Sequence, residues 1–148
     1  MVVILNELLM GGIMKSKIII LITVIINIIA ILFNFANFFM GNFVTATNLT
    51  ISVFYLLIWT ILSVYAYLKK DIIFSKFMLI YWIISLISSV LSIKISSFIL
   101  LPFYVVYFAP FYGFTTFFKT YIPTYSFIMS TISIIFVIIA AYINNHSK

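Results

Sequence analysis

Residues 18–40 read IIILITVIINIIAILFNFANFFM, a run of 23 residues without one charged side chain. A helix rises about 1.5 Å per residue, so this run reaches about 35 Å as a helix. That exceeds the roughly 30 Å hydrocarbon core of a bilayer. It is also longer than the roughly 7–15 apolar residues of a secretory signal, so it reads as a permanent span. Gly41-Asn42 marks its end.

The same reading extends along the chain. Further spans are expected at about 50–68, 72–93 and 125–143. Lys69, Lys70 and Asp71 separate the second from the third. Lys76 falls in the first turns of the third span, where a long side chain can snorkel to the headgroups. At the bilayer centre it would cost about 2.5–3.5 kcal/mol.

Composition agrees. The chain has 148 residues, 66% hydrophobic and 7% charged. A soluble domain carries about 25% charged residues, so too little polar surface is present to face water on all sides. The expected fold class is all-α integral membrane: an antiparallel four-helix transmembrane bundle in a single polytopic domain, residues 14–148.

Residues 98–118 are the ambiguous stretch. They carry no charge and are long enough to span, yet ten of the twenty-one are Phe or Tyr. Pro102, Pro110 and Gly113 interrupt them. Proline removes a helix donor, and aromatics gather at the membrane interface. The expectation is an aromatic-rich interfacial or re-entrant segment, with a kinked fifth span as the alternative. Phe103, Tyr104, Tyr107 and Tyr112 are its candidate partner or lipid interface.

Residues 1–13 contain Glu7 and Gly11-Gly12, just before Met14-Lys15-Ser16-Lys17. In-frame translation of a purine-rich ribosome-binding sequence yields glycines upstream of a start codon. The reading is that Met14 starts the chain, with a short interfacial segment as the alternative. Heavy use of Ile, Phe, Asn, Lys and Tyr, with no Arg or Gln, fits an AT-rich bacterial genome.

Orientation follows from the lysines. All eight cations are Lys, and only Glu7 and Asp71 are acidic, for a net charge of +6. Cytoplasmic loops hold the excess of Lys and Arg. Lys15, Lys17, Lys69, Lys70 and Lys76 therefore set a cytoplasmic N-terminus and a cytoplasmic second loop. Four and five spans each put six lysines inside, so the side of the C-terminus stays open. Asp71 suits an N-cap, where a carboxylate meets the positive end of the helix dipole.

Each span carries one small, polar stripe when residues are placed at 100° per position. In the first span the stripe is Thr23, Asn27, Ala30, Asn34, Asn37 and Gly41. In the second it is Ser52, Tyr55, Trp59, Ser63 and Ala66. The third offers Tyr81, Ser85, Ser88, Ser92 and Ser96, and the fourth Ser126, Ser130, Ser133, Ala140 and Asn144. Lipid supplies no hydrophobic drive for helix association, so small and hydrogen-bonding faces pack inward. Asn27, Asn34, Asn37, Ser63, Ser85, Ser88, Ser92, Ser130 and Ser133 are the expected polar bundle interior. They act as helix glue or as the wall of a polar cavity.

Chemistry is constrained by what is missing. There is no Cys, and the single His146 lies near the polar tail. Metal or haem chemistry inside a bilayer needs clustered ionisable ligands, so no cofactor, metal or catalytic residue is expected. Lysines scattered between apolar runs make no nucleic-acid surface. A proton-coupled transporter needs a central Asp, Glu, His or Arg, and no span has one. The expected role is non-enzymatic: an accessory subunit of a transport or secretion complex, or self-immunity to a membrane-active peptide. The partners are then the lipid bilayer and another membrane subunit or that peptide. The alternative is a passive channel or uniporter for a small neutral solute, lined by the Asn and Ser stripes.

Overall fold

The computed structural model describes residues 2–94, 100–117 and 122–146, with side chains over 14–92, 100–117 and 125–146. Every described element is helical. They are α1 (Val2–Met40), α2 (Ala46–Lys69), α3 (Ile72–Lys94), α4 (Leu101–Tyr107), a 3-10 segment (Ala109–Phe117) and α5 (Ile122–His146). Four stretches are long and apolar enough to cross a membrane: Met14–Met40, Ala46–Lys69, Ile72–Ser92 and Tyr125–His146.

The helix ends follow local chemistry. Gly41 takes the left-handed conformation at φ 64, and the Asn42 amide returns to the Asn37 carbonyl at 3.1 Å. That closes the C-terminus of α1 as left-handed glycine caps do. Thr45 then caps α2: its hydroxyl accepts from the Asn48 amide, while Asn48 Oδ1 accepts from the Thr45 amide. This reciprocal capping box starts α2 four residues before the expected Thr50. Lys70 ends α2 in the left-handed region. Asp71 caps α3, with Oδ1 accepting from the Phe74 amide at 2.9 Å.

Residues 2–13 continue the α1 helix without a break. The physical reason is local: no proline intervenes, and Gly11-Gly12 costs a helix about 1 kcal/mol per glycine without ending it.

Among the described residues, the aromatic stretch forms no single helix long enough to span. Pro102 sits in the first turn of α4, where its missing donor is harmless. Pro110 is the second residue of the 3-10 segment and stops α4 from continuing. Seven α-helical and nine 3-10 residues reach about 10 Å and 18 Å, each short of a roughly 30 Å core. The 3-10 segment packs against α2 and α1. Gly113 permits this approach, because a Cβ there would lie 2.2 Å from the Asn48 carbonyl oxygen.

α3 and α5 make the most extensive helix pairing. Serine hydroxyls join them at Ser85–Ser133 (2.9 Å), Ser89–Ser130 (2.8 Å) and Ser92–Ser126 (2.6 Å). Numbers rise along α3 as they fall along α5. α1 and α2 show the same inverse order through Asn27–Tyr55 and Asn37–Asn48.

Candidate functional site: a polar clamp and an aromatic centre

The asparagines of α1 converge on α2 and on the 3-10 segment. Asn34 is fully buried. Its amide nitrogen donates to the Pro110 carbonyl at 3.1 Å and to Ser52 Oγ at 3.4 Å, while its oxygen accepts from Asn48 Nδ2 at 2.9 Å. Ser52 donates to the same Pro110 carbonyl at 2.8 Å and accepts from the Gly113 amide at 2.9 Å. Asn37 donates to Asn48 Oδ1 at 2.7 Å. The network therefore clamps both ends of the 110–113 turn onto α1 and α2. A 3-10 turn leaves backbone groups unsatisfied, and burying them without partners would be costly.

Tyr112 adds a further tie by donating to the Asn42 carbonyl. Burial raises its phenol above the ordinary value, which keeps it a neutral donor.

Nearer the middle of the bundle lies an aromatic centre. Trp82 stacks on Phe136 at 4.4 Å, and Trp59 on Tyr81 at 4.8 Å. Trp59 and Trp82 meet edge to face at 5.1 Å, and Tyr55 meets Phe111 at 5.0 Å. These rings come from α2, α3, α5 and the 3-10 segment. Tyr55 donates to Asn27 Oδ1 at 2.7 Å, and Tyr81 joins the same pair. The Trp82 indole N–H is buried without a hydrogen-bond partner.

Each candidate residue has a definite place. Asn27, Asn34, Ser63, Ser85, Ser88, Ser130 and Ser133 are buried, while Asn37 and Ser92 are half-buried. Ser63 and Ser88 bond only to carbonyls of their own helices, those of Trp59 and Ile84. Of the expected third-span stripe, Ser85 and Ser92 reach across to α5, joined there by Ser89 rather than Ser88. A helix pair stays in contact every 3.5 residues on average, so the row steps four and then three. Ser96 lies outside the described residues, as do the side chains of Lys94, Lys119 and Lys148.

The expected aromatic interface divides into buried and exposed members. Tyr107 and Tyr112 are buried, Tyr104 is half-buried, and Phe103 is exposed. Tyr107 packs on Tyr81 at 4.9 Å and Tyr112 on Phe38 at 5.8 Å. The clamp turns this segment inward, which a one-dimensional count of aromatics does not reveal. The exposed aromatics near the α1–α2 loop are instead Phe35, Phe39 and Phe43, the last 98% exposed. Phe35 and Phe39 stack at 5.5 Å. Their spacing of four was the available signal.

Asn48, Ser75, Ser89 and Ser16 also emerge only in three dimensions. Asn48 continues the second stripe one turn back from Ser52. Ser75 donates to the Ala140 carbonyl at 3.1 Å. Ser16 donates to both Asp71 carboxylate oxygens at 2.8 Å. That bond brings the start of the first span to the α2–α3 turn. Lys15, Lys17, Lys69, Lys70 and Lys76 therefore share one end of the molecule, all exposed.

Among the described residues, no group of three metal-ligating side chains comes together. Compared with known proteins, the chain matches no family model, no curated protein and no solved structure.

Proposed function

We propose that this chain is a non-enzymatic binding or accessory protein of the bacterial cytoplasmic membrane. It forms an antiparallel four-helix transmembrane bundle, with the lysine-bearing end and the N-terminus in the cytoplasm. The 100–117 stretch is a re-entrant cap on the outer half. The five lysines gathered at one end support this orientation, since basic residues are retained inside.

The observation that carries the role is how the interior side chains are used. Asn27, Asn34, Asn37 and Asn48 bond to neighbouring side chains and carbonyls. Their amides are committed to holding the bundle, which leaves recognition to the outer faces. Phe35, Phe39 and Phe43 offer an exposed aromatic ridge at the outer end of α1. Such a ridge suits another membrane subunit or a membrane-active peptide.

The test replaces Phe39 and Phe43 with Ala, in cells producing the tagged protein with its neighbouring genes. Expression and membrane insertion are expected to persist, with loss of partner co-purification or of peptide resistance. Full retention of both refutes the reading. Solute flux through liposomes that falls in Asn34→Leu would favour the passive channel instead.

A further inference from the structure

A groove of about 670 Å³ runs between α2 and α5. Leu56, Val64 and Tyr67 line one wall, and Ile135, Ile139 and Tyr142 the other. The cause is the clamp. In the outer half, the 3-10 segment packs on α2, and Phe108 reaches α5 through Tyr125. In the lysine-bearing half, among the described residues, no corresponding segment lies between the two helices, which touch only sparsely. Tyr67 and Tyr142 stack at 6.1 Å near the end of the groove.

We infer that this groove, with Lys69 and Lys70 at its mouth, binds one anionic phospholipid of the inner leaflet. Its length fits one acyl chain. It extends over residues 56–67 and 132–143, about 17 Å at 1.5 Å per residue. One leaflet of a roughly 30 Å core is about 15 Å deep. The groove starts at the middle of α2 and ends two residues before Lys69, so its depth matches that leaflet.

Charge selects the headgroup. Lys69 and Lys70 are exposed within one turn of Tyr67. Asp71 is the only acid among the described side chains, and its oxygens accept from Ser16 and the Phe74 amide. The lysines are thus available to a phosphate, for which a zwitterionic headgroup would bring its own competing cation. This site is independent of the aromatic ridge at the opposite end.

The test is native mass spectrometry of the full chain, purified from bilayers holding equal phosphatidylglycerol and phosphatidylcholine. One phosphatidylglycerol is expected to be retained, with about 30-fold preference, since two lysines are worth roughly 5-fold each. Lys69→Gln with Lys70→Asn should remove the preference while keeping the fold, because Asn tolerates the left-handed conformation of residue 70. Val64→Trp with Ile135→Trp, both exposed side chains in the wild type, should reduce retention of either lipid by filling the groove. Equal retention of the two lipids by the wild type overturns the inference. So does undiminished preference in the lysine variant, or a protein dimer that survives with no lipid bound.

Discussion

Replacing Ser52 with Ala should loosen the 3-10 segment without disturbing the helices. Ser52 Oγ donates to the Pro110 carbonyl and accepts from the Gly113 amide at 2.8 and 2.9 Å. After truncation, Pro110 keeps its bond from Asn34 at 3.1 Å, but the Gly113 amide loses its acceptor. A buried donor left unsatisfied costs about 1–3 kcal/mol. Membrane hydrogen bonds average about 0.6 kcal/mol, which favours the lower part of that range. The equilibrium for release of the segment should rise by roughly 5-fold, and by at most about 150-fold.

The chain has no Cys, so Thr115→Cys would be its sole thiol. Thr115 is buried and its hydroxyl bonds only to the Tyr112 carbonyl. Maleimide labelling then reports opening, provided closing outpaces reaction. The control is Ser63→Ala, whose hydroxyl bonds only to the Trp59 carbonyl of its own helix. It should change labelling by no more than about 2-fold, since such back-bonding adds little to a helix. Unchanged labelling in Ser52→Ala, or an equal rise in Ser63→Ala, would refute the clamp.

Three further outcomes are expected. Gly113→Ala should open the same segment more than Ser52→Ala, because its Cβ meets backbone atoms at 2.2 and 2.4 Å. Overpacking of this kind costs about 1–3 kcal/mol or more, and parental labelling would place the segment away from α2. A double-mutant cycle of Ser85→Ala and Ser133→Ala, read by denaturation in mixed micelles, should give a coupling of about 0.6 and at most about 1.7 kcal/mol. Strict additivity would deny that pair. Asp71→Ala should lower stability by about 1 kcal/mol through loss of the cap, with Asp71→Asn recovering most of it. An Asn variant as weak as Ala in a thermal aggregation assay would assign the effect to the carboxylate charge instead.

Much of the inward face was legible from periodicity. Asn34, Ser52, Ser85, Ser130 and Ser133 stand on stripes drawn at 100° per residue, and all five are buried. The reason is that small and hydrogen-bonding side chains are what hold helices together when the solvent is lipid. Spacing was less reliable for choosing between Ser88 and Ser89. Both lie close to the stripe, and the register of the partner helix decides which one reaches across. Asn48 was harder still, because its importance lies in accepting from Asn37 and Thr45 at once.

The sequence by itself determined the solvent of this protein, the apolar runs long enough to span and the end at which most of its lysines gather. Those properties depend on runs of apolar residues and on charge placement, which are local. Only the tertiary structure decided where the aromatic stretch goes. Pro110 and Gly113 bring a carbonyl and an amide that need partners, and Asn34 and Ser52 supply them from helices 76 and 61 residues away. That distant pairing turns Tyr107, Phe111 and Tyr112 inward. It also fills the space beside α2 in one half of the bundle, and leaves an apolar groove in the other.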